Sequence, residues 1–263
     1  MTVLAQREGF HAPGIEEFEW PNIVDLHLFG LDLGINRVVL QMFLVAGTVW
    51  LLFFLAFRTP RLVPNGLQNV MESVVDFIRT QIVLENIGPA GLRFLPYLTT
   101  LFVFIFLGNL GGILPLISFP LNGRMALPAI MGVSSLLLFI AVGISQQGFL
   151  HYFRTALFPP GVPAPIYILL TPIELVSTFI VRPVTLAIRL LANMIAGHLI
   201  LSVFFVATGY MLTSMNISTL FGVGALVFAV ALVAFELFVA GLQAYVFTIL
   251  SAVYIAGALE PEH

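Results

Sequence analysis

The chain has 263 residues, of which 60% are hydrophobic and only 9% charged. A soluble core of that size cannot bury so much apolar surface, so the composition marks an integral membrane protein. There is no cysteine, all ten basic residues are Arg, and the formal net charge is −3. These counts exclude disulfide frameworks, thiolate metal sites and cysteine nucleophiles, together with the clustered basic charge that nucleic-acid binding requires.

Residues 1–36 are polar and acidic (Glu8, Glu16, Glu17, Glu19, Asp25, Asp32) and lack the apolar stretch of a cleavable signal. They read as a retained, external N-terminal segment ahead of a single membrane domain, 37–263. The first apolar run, about 37–57, matches the ~20 helical residues that cross a hydrocarbon core. Arg58 and Arg61 follow it closely, whereas its leading side is acidic. The positive-inside rule therefore places the N-terminus outside and residues 58–92 inside. Within that inner stretch Leu67, Val70, Val74, Phe77, Ile78 and Ile82 recur near helical spacing, with Glu72, Asp76 and Arg79 elsewhere on the wheel. This pattern predicts an amphipathic helix lying on the membrane surface over about 65–86.

Two further spans are expected at about 95–119 and 128–150, joined externally by "PLNGRMAL", with His151 and Arg154 returning the chain inside. "FPPGVPAP" (158–165) then breaks the pattern. Residues 167–208 and 219–258 each read as continuous apolar helix, and at 1.5 Å per residue each would extend roughly 60 Å. Twice the thickness of a bilayer demands either a turn within each segment or a steep tilt, roughly 60° from the normal. Pro183 is the candidate breaker in the first, but a turn there leaves Arg189 deep in an apolar run, so two oblique helices are expected. The fold class is thus all-α and polytopic, with about five membrane-crossing helices, one surface helix and a C-terminal hairpin of two long tilted helices.

The polar cluster "TSMNIST" (213–219) is the hairpin turn. Folding back about residues 216–217 pairs His198 with Glu236, Arg189 with Gln243 and Arg182 with Ser251. Glu236, Gln243 and Tyr254 share one helical face; Glu174, Ser177, Thr178, Arg182, Thr185 and Arg189 form a second stripe.

An Arg near the middle of a membrane costs about 2.5–3.5 kcal/mol on insertion scales and usually faces a partner or an aqueous cavity. Its guanidinium stays protonated and can only bias neighbouring groups, whereas the carboxyl of Glu236 and the imidazole of His198 can exchange protons. Buried amides and hydroxyls often serve only to tie helices together, and Tyr254, Asn109, Ser177, Thr178 and Thr185 fit that role. Glu174 and Arg182 fit an interfacial pair. Three ionisable groups, Arg189, Glu236 and His198, are an expensive way to join two helices. Bis-His haem ligation is disfavoured because His198 stands alone in the apolar segments, the other histidines (His11, His27, His151, His263) being in tails or loops. No cofactor or metal is expected.

With "RPVTLAIRLLANMIAGH" (182–198) followed by "GLQAYVFTILSAVYI" (241–255), the chain resembles the subunit a family of the F-type ATP synthases. "PNGLQNVMESVVDFI" after the first span, "NLGGILP" (109–115) and "TPIEL" (171–175) extend the resemblance over most of the sequence. It implies a non-catalytic subunit of the bacterial plasma membrane, C-terminus cytoplasmic. Such a subunit stands beside a ring of c subunits, contacts b-type stalk subunits and lipid, and offers two offset half-channels for protons. By the same resemblance Arg189 is the stator arginine, with Asn193 and Gln243 as polar lining nearby. His198 and Glu236 form a relay on the external side, Glu174 lies near the internal exit and Asn109 near the external mouth; Arg182 and Tyr254 complete the expected path. Many bacterial relatives carry an acid at the position of His198 and a histidine at that of Glu236, so the pair is transposed here. The family's Phe-Gly before the Asn is Leu191-Ala192. The competing classes are a self-contained proton-coupled secondary transporter, which lacks support from internal repeats or a broken helix near Arg189, and a purely structural scaffold.

Overall fold

The computed structural model describes residues 27–28, 31–32, 36–113, 121–158, 163–213 and 218–259. Among the described residues the regular structure is helical, apart from a two-residue antiparallel ladder that pairs β1 (His27–Leu28) with β2 (Leu31–Asp32). Most of the expected N-terminal segment lies outside the described residues, as do the end of the second expected span and the centre of the "TSMNIST" turn.

Helix α1 (Arg37–Phe57) begins at Asn36, whose side chain accepts a hydrogen bond from the Val39 N–H at 3.0 Å and so satisfies a first-turn donor. Its buried residues Gln41, Val45, Val49 and Ala56 form one stripe; Phe43, Leu44, Trp50 and Phe54 face outward. The turn into α2 (Leu67–Phe77) is held by Gln68. Its amide accepts from the Arg61 N–H at 3.1 Å and donates to the Arg61 carbonyl at 3.0 Å and to Glu72 Oε1 at 2.7 Å. The surface helix expected over 65–86 is α2 continued by a π-helical stretch, Ile78–Leu84, whose Ile78, Ile82 and Val83 are buried in a cluster with Leu98 of α3 (Leu95–Ile113), Phe139 and Ile255.

α4 (Ala126–Gln147) ends at Gly148. Its φ of +80° is one a side chain would resist, and it lets the short α5 (Phe149–Leu157) fold back. Tyr152 of α5 then seats its ring on Gly143, where no side chain would fit.

The last third is a hairpin. α6 (Tyr167–Val176), a π-helical turn (Ser177–Val181) and α7 (Arg182–Thr213) make one helical run of 47 residues, answered by α8 (Ser218–Leu259). Neither fits upright in a hydrocarbon core about 30 Å thick. Among the described residues five helices are long and apolar enough to cross a membrane, including Arg37–Phe57, Pro89–Ile113 and Ala126–Gln147. Pro183 does not break the long helix. In the π turn the Arg182 N–H bonds to the Ser177 carbonyl, and this widening relieves the crowding of a proline ring against the preceding turn.

In lipid, helices gain little from apolar burial as such and associate through close packing of small residues and polar contacts. α8 follows this rule: Ala229, Ala240, Ala244, Thr248, Ser251 and Ala252 lie buried along it. Two buried clusters result. One, around Leu101, Ile105, Leu190 and Phe247, ties α1, α3, α4, α7 and α8 together. The other, around Ile78, Leu98, Phe139 and Ile255, anchors α2 and its π-helical continuation. The tightest approach of α4 to α7 is at Gly132, where a Cβ would lie 2.7 Å from the Pro183 carbonyl oxygen. Gly132→Val should therefore force the helices apart at a cost of about 1–3 kcal/mol, read as a lower thermal midpoint of the detergent-solubilised protein.

A polar seam between the two long helices

The antiparallel packing of α7 on α8 brings the expected side chains together with a shifted register. Asn193, not Arg189, pairs with Gln243: its Nδ2 donates to Gln243 Oε1 at 2.7 Å. Arg182 lies with its guanidinium carbon 5.2 Å from the centre of the Tyr254 ring, one turn beyond the expected Ser251. Both pairs centre one to two residues later in the chain than the expected fold-back point. Ser251 instead bonds within α8 to the Phe247 carbonyl at 2.9 Å and across to Ser135 Oγ of α4 at 3.2 Å, which in turn meets the Tyr97 hydroxyl at 3.2 Å.

Glu236 is 6% exposed, yet neither carboxyl oxygen has a hydrogen-bond partner among the described residues. The expected direct bond from His198 is therefore not formed. The residue facing the carboxyl is Gly197, whose missing Cβ would lie 2.9 Å from Glu236 Oε1, and His198 projects from the next position on α7. Gln243, 4% exposed, likewise has its Nε2 unbonded. A buried, unsatisfied polar group carries its full desolvation cost, so Glu236 and Gln243 hold unmet hydrogen-bonding capacity in the seam.

Arg189 stands apart from these. It is exposed on an open face of α7 with Thr185, Ile188, Ala192 and Asn193, and it makes no hydrogen bond or ion pair with any described residue. α7 thus presents a cation outward while its neighbour Asn193 reaches inward to Gln243.

Asn109 of α3 is fully buried. Its Nδ2 donates to the Ala240 carbonyl at 3.5 Å, one turn from both Glu236 and Gln243, and its Oδ1 accepts from Asn122 Nδ2 at 2.6 Å. Asn122, also fully buried, was not singled out by sequence reasoning. It stands in "PLNGRMAL", where an Asn-Gly pair signals a turn and nothing marks burial.

At the other end of the hairpin Glu174, Thr178, Arg182 and Tyr254 line a cavity of about 230 Å³ together with Gln147 of α4 and Tyr152 of α5. Gln147 donates to the Ala258 carbonyl at 3.2 Å and leaves its own buried oxygen unbonded. Burial pushes the Tyr152 hydroxyl above its ordinary range, against the opposing pull of the Arg182 guanidinium, so it is protonated and able to donate at neutral pH.

A multi-pass helical membrane protein with a polar seam and an outward-facing arginine on its long hairpin is the class that sequence and fold define. Residues 39–256 match the family model described as ATP synthase A chain. The chain is similar over its full length to the ATP synthase subunit a of Rhodococcus erythropolis, at 41% identity over 100% of this chain and 94% of the relative. That of Frankia alni is 42% identical over 98% and 89% of the two chains, and that of Rhodospirillum rubrum 37% identical over 95% and 98%. The chain belongs to the ATP synthase A chain family, as a membrane-sector component of a multi-subunit complex.

Asn109→Ala should cost about 1–3 kcal/mol, because it leaves the buried Asn122 amide without its partner. The double replacement Asn109→Leu with Asn122→Leu should cost less than the sum of the two single changes, as a double-mutant cycle of thermal unfolding would measure.

Proposed function

We propose that this chain is the stator ion-channel subunit of the membrane sector of an F-type ATP synthase. It provides two offset half-channels that carry protons to and from the carboxylates of a c-subunit ring, and so couples proton flow to rotation and ATP synthesis. The observation that supports this most is Arg189. A guanidinium exposed on the open face of a long apolar helix, without a counter-charge among the described residues, needs one from outside the chain. A rotor carboxylate meets that need.

The mechanism follows from electrostatics. A ring carboxylate facing lipid is neutral, since an ion there is costly; opposite Arg189 it is favoured as the anion and gives up its proton. The same cation repels a proton that would pass straight from one half-channel to the other. Asn193 and Gln243, hydrogen-bonded beside Arg189, line the meeting point with the ring. Glu236 and His198 carry protons on the external side, with Asn109 near the mouth; Glu174, Arg182 and Tyr254 lie on the internal side. Because Glu236 accepts no hydrogen bond, the relay between it and His198 runs through water. The driving force is about 2.3 kcal/mol per charge per 100 mV, so several protons are summed for each ATP. The chain itself makes no ATP; it works beside b-type stalk subunits in a cell membrane, its N-terminus outside and its C-terminus cytoplasmic.

In membrane vesicles carrying the whole complex, Arg189→Ala should abolish ATP-driven acidification; pumping at the normal rate refutes the reading. Glu236→Leu should impair proton conduction more than the double exchange His198→Glu with Glu236→His, which keeps one acid and one imidazole in the seam. Equal loss in both variants removes the relay.

A further inference from the structure

The inner cavity holds two opposite charges that do not meet. Glu174 and Arg182 both line it, eight residues apart on one continuous helical run, yet no ion pair joins them. Eight residues of helix rise at most about 12 Å, a distance that the two extended side chains span between them, and a long side chain on a helix leans toward its N-terminal end, which here is toward Glu174. What intervenes is Tyr254 of α8, whose ring takes the guanidinium at 5.2 Å, within the range of a cation–π contact. The remaining walls offer no competing charge. α5 contributes the Tyr152 hydroxyl and α4 the neutral Gln147, whose free oxygen is buried.

We infer that Tyr254 is a positioning residue that detains the Arg182 guanidinium on its ring and so keeps it from neutralising Glu174. The carboxylate then stays open to protons in the inner cavity, while the nearby cation keeps the cavity from collecting further positive charge. A Glu174–Arg182 ion pair would close this route, because a carboxylate engaged by a guanidinium gives up its affinity for a proton. The inference rests on the proposed role of Glu174 at the internal exit, and the two are separable by experiment.

The test is passive proton conduction and ATP-driven acidification in vesicles carrying the whole complex, with rates normalised to assembled complex. Tyr254→Phe keeps the ring and should conduct faster than Tyr254→Leu. Tyr254→Leu releases the guanidinium and should slow conduction about fivefold, the shift that losing a cation–π contact of ordinary strength produces. Adding Arg182→Gln to Tyr254→Leu should raise conduction above that of Tyr254→Leu alone, because no cation then remains to pair with Glu174; a merely structural defect at Tyr254 would persist in the double variant. Should Tyr254→Leu fail to assemble, Arg182→Lys supplies the second route. It keeps the charge but loses the planar stacking, and it too should slow conduction. Normal conduction in Tyr254→Leu or in Arg182→Lys, or slowing in Tyr254→Leu that Arg182→Gln does not relieve, overturns the inference. Normal conduction in Glu174→Gln instead overturns the role assigned to Glu174 itself.

Discussion

Helices that cross a membrane cannot rely on water to drive them together, and this chain solves the problem with a tight seam between α7 and α8. Gly197 lets a carboxyl pack against the neighbouring helix, Gly132 lets α4 touch the Pro183 carbonyl, and alanines along α8 keep the separation small. Close approach is what brings Asn193 within hydrogen-bond reach of Gln243 and leaves Glu236 walled in without a partner. Every polar feature of the hairpin depends on that spacing: were the helices a few ångströms further apart, lipid or bulk water would replace the seam.

The seam also divides the molecule into two polar regions. Asn109, Asn122, Glu236 and Gln243 gather near the middle of α8, while Glu174, Arg182, Tyr254, Tyr152 and Gln147 surround the cavity toward its C-terminal end. Between them Phe247 and Leu190 are wholly buried apolar side chains. In the proposed mechanism the exposed Arg189 is the point at which a moving partner bridges the two routes.

The spans were legible because hydrocarbon thickness imposes a length and charged residues punctuate it: α1 occupies the expected 37–57, and the two long helices differ from expectation by only a few residues at their ends. The antiparallel hairpin could be read from its one polar turn. The register was legible only to within a turn. Folding back about a point treats helices as straight rods with side chains at right angles, whereas real side chains lean along the axis, so Asn193 rather than Arg189 meets Gln243. The Glu236 environment was missed for a related reason, since the decisive residue is a glycine, which has no chemistry to notice. Asn122 and Tyr152 were hidden by their sequence neighbours: one sits in a turn motif, the other on a short helix that only the backbone reversal at Gly148 folds onto α4.

The wide turn at Ser177–Val181 has a geometric effect that reaches beyond its five residues. In an unbroken α-helix, eight residues leave two side chains pointing about 80° apart, so Glu174 and Arg182 would not open onto one chamber. A π-helical stretch advances fewer degrees per residue and winds that angle back. It works as a phase shifter, letting the leading segment of the helix hold its orientation toward α5 while the trailing segment keeps Pro183 turned to α4 and Arg182 turned to α8. The helix accommodates one more residue than its packed faces require, and the surplus is absorbed as rotation.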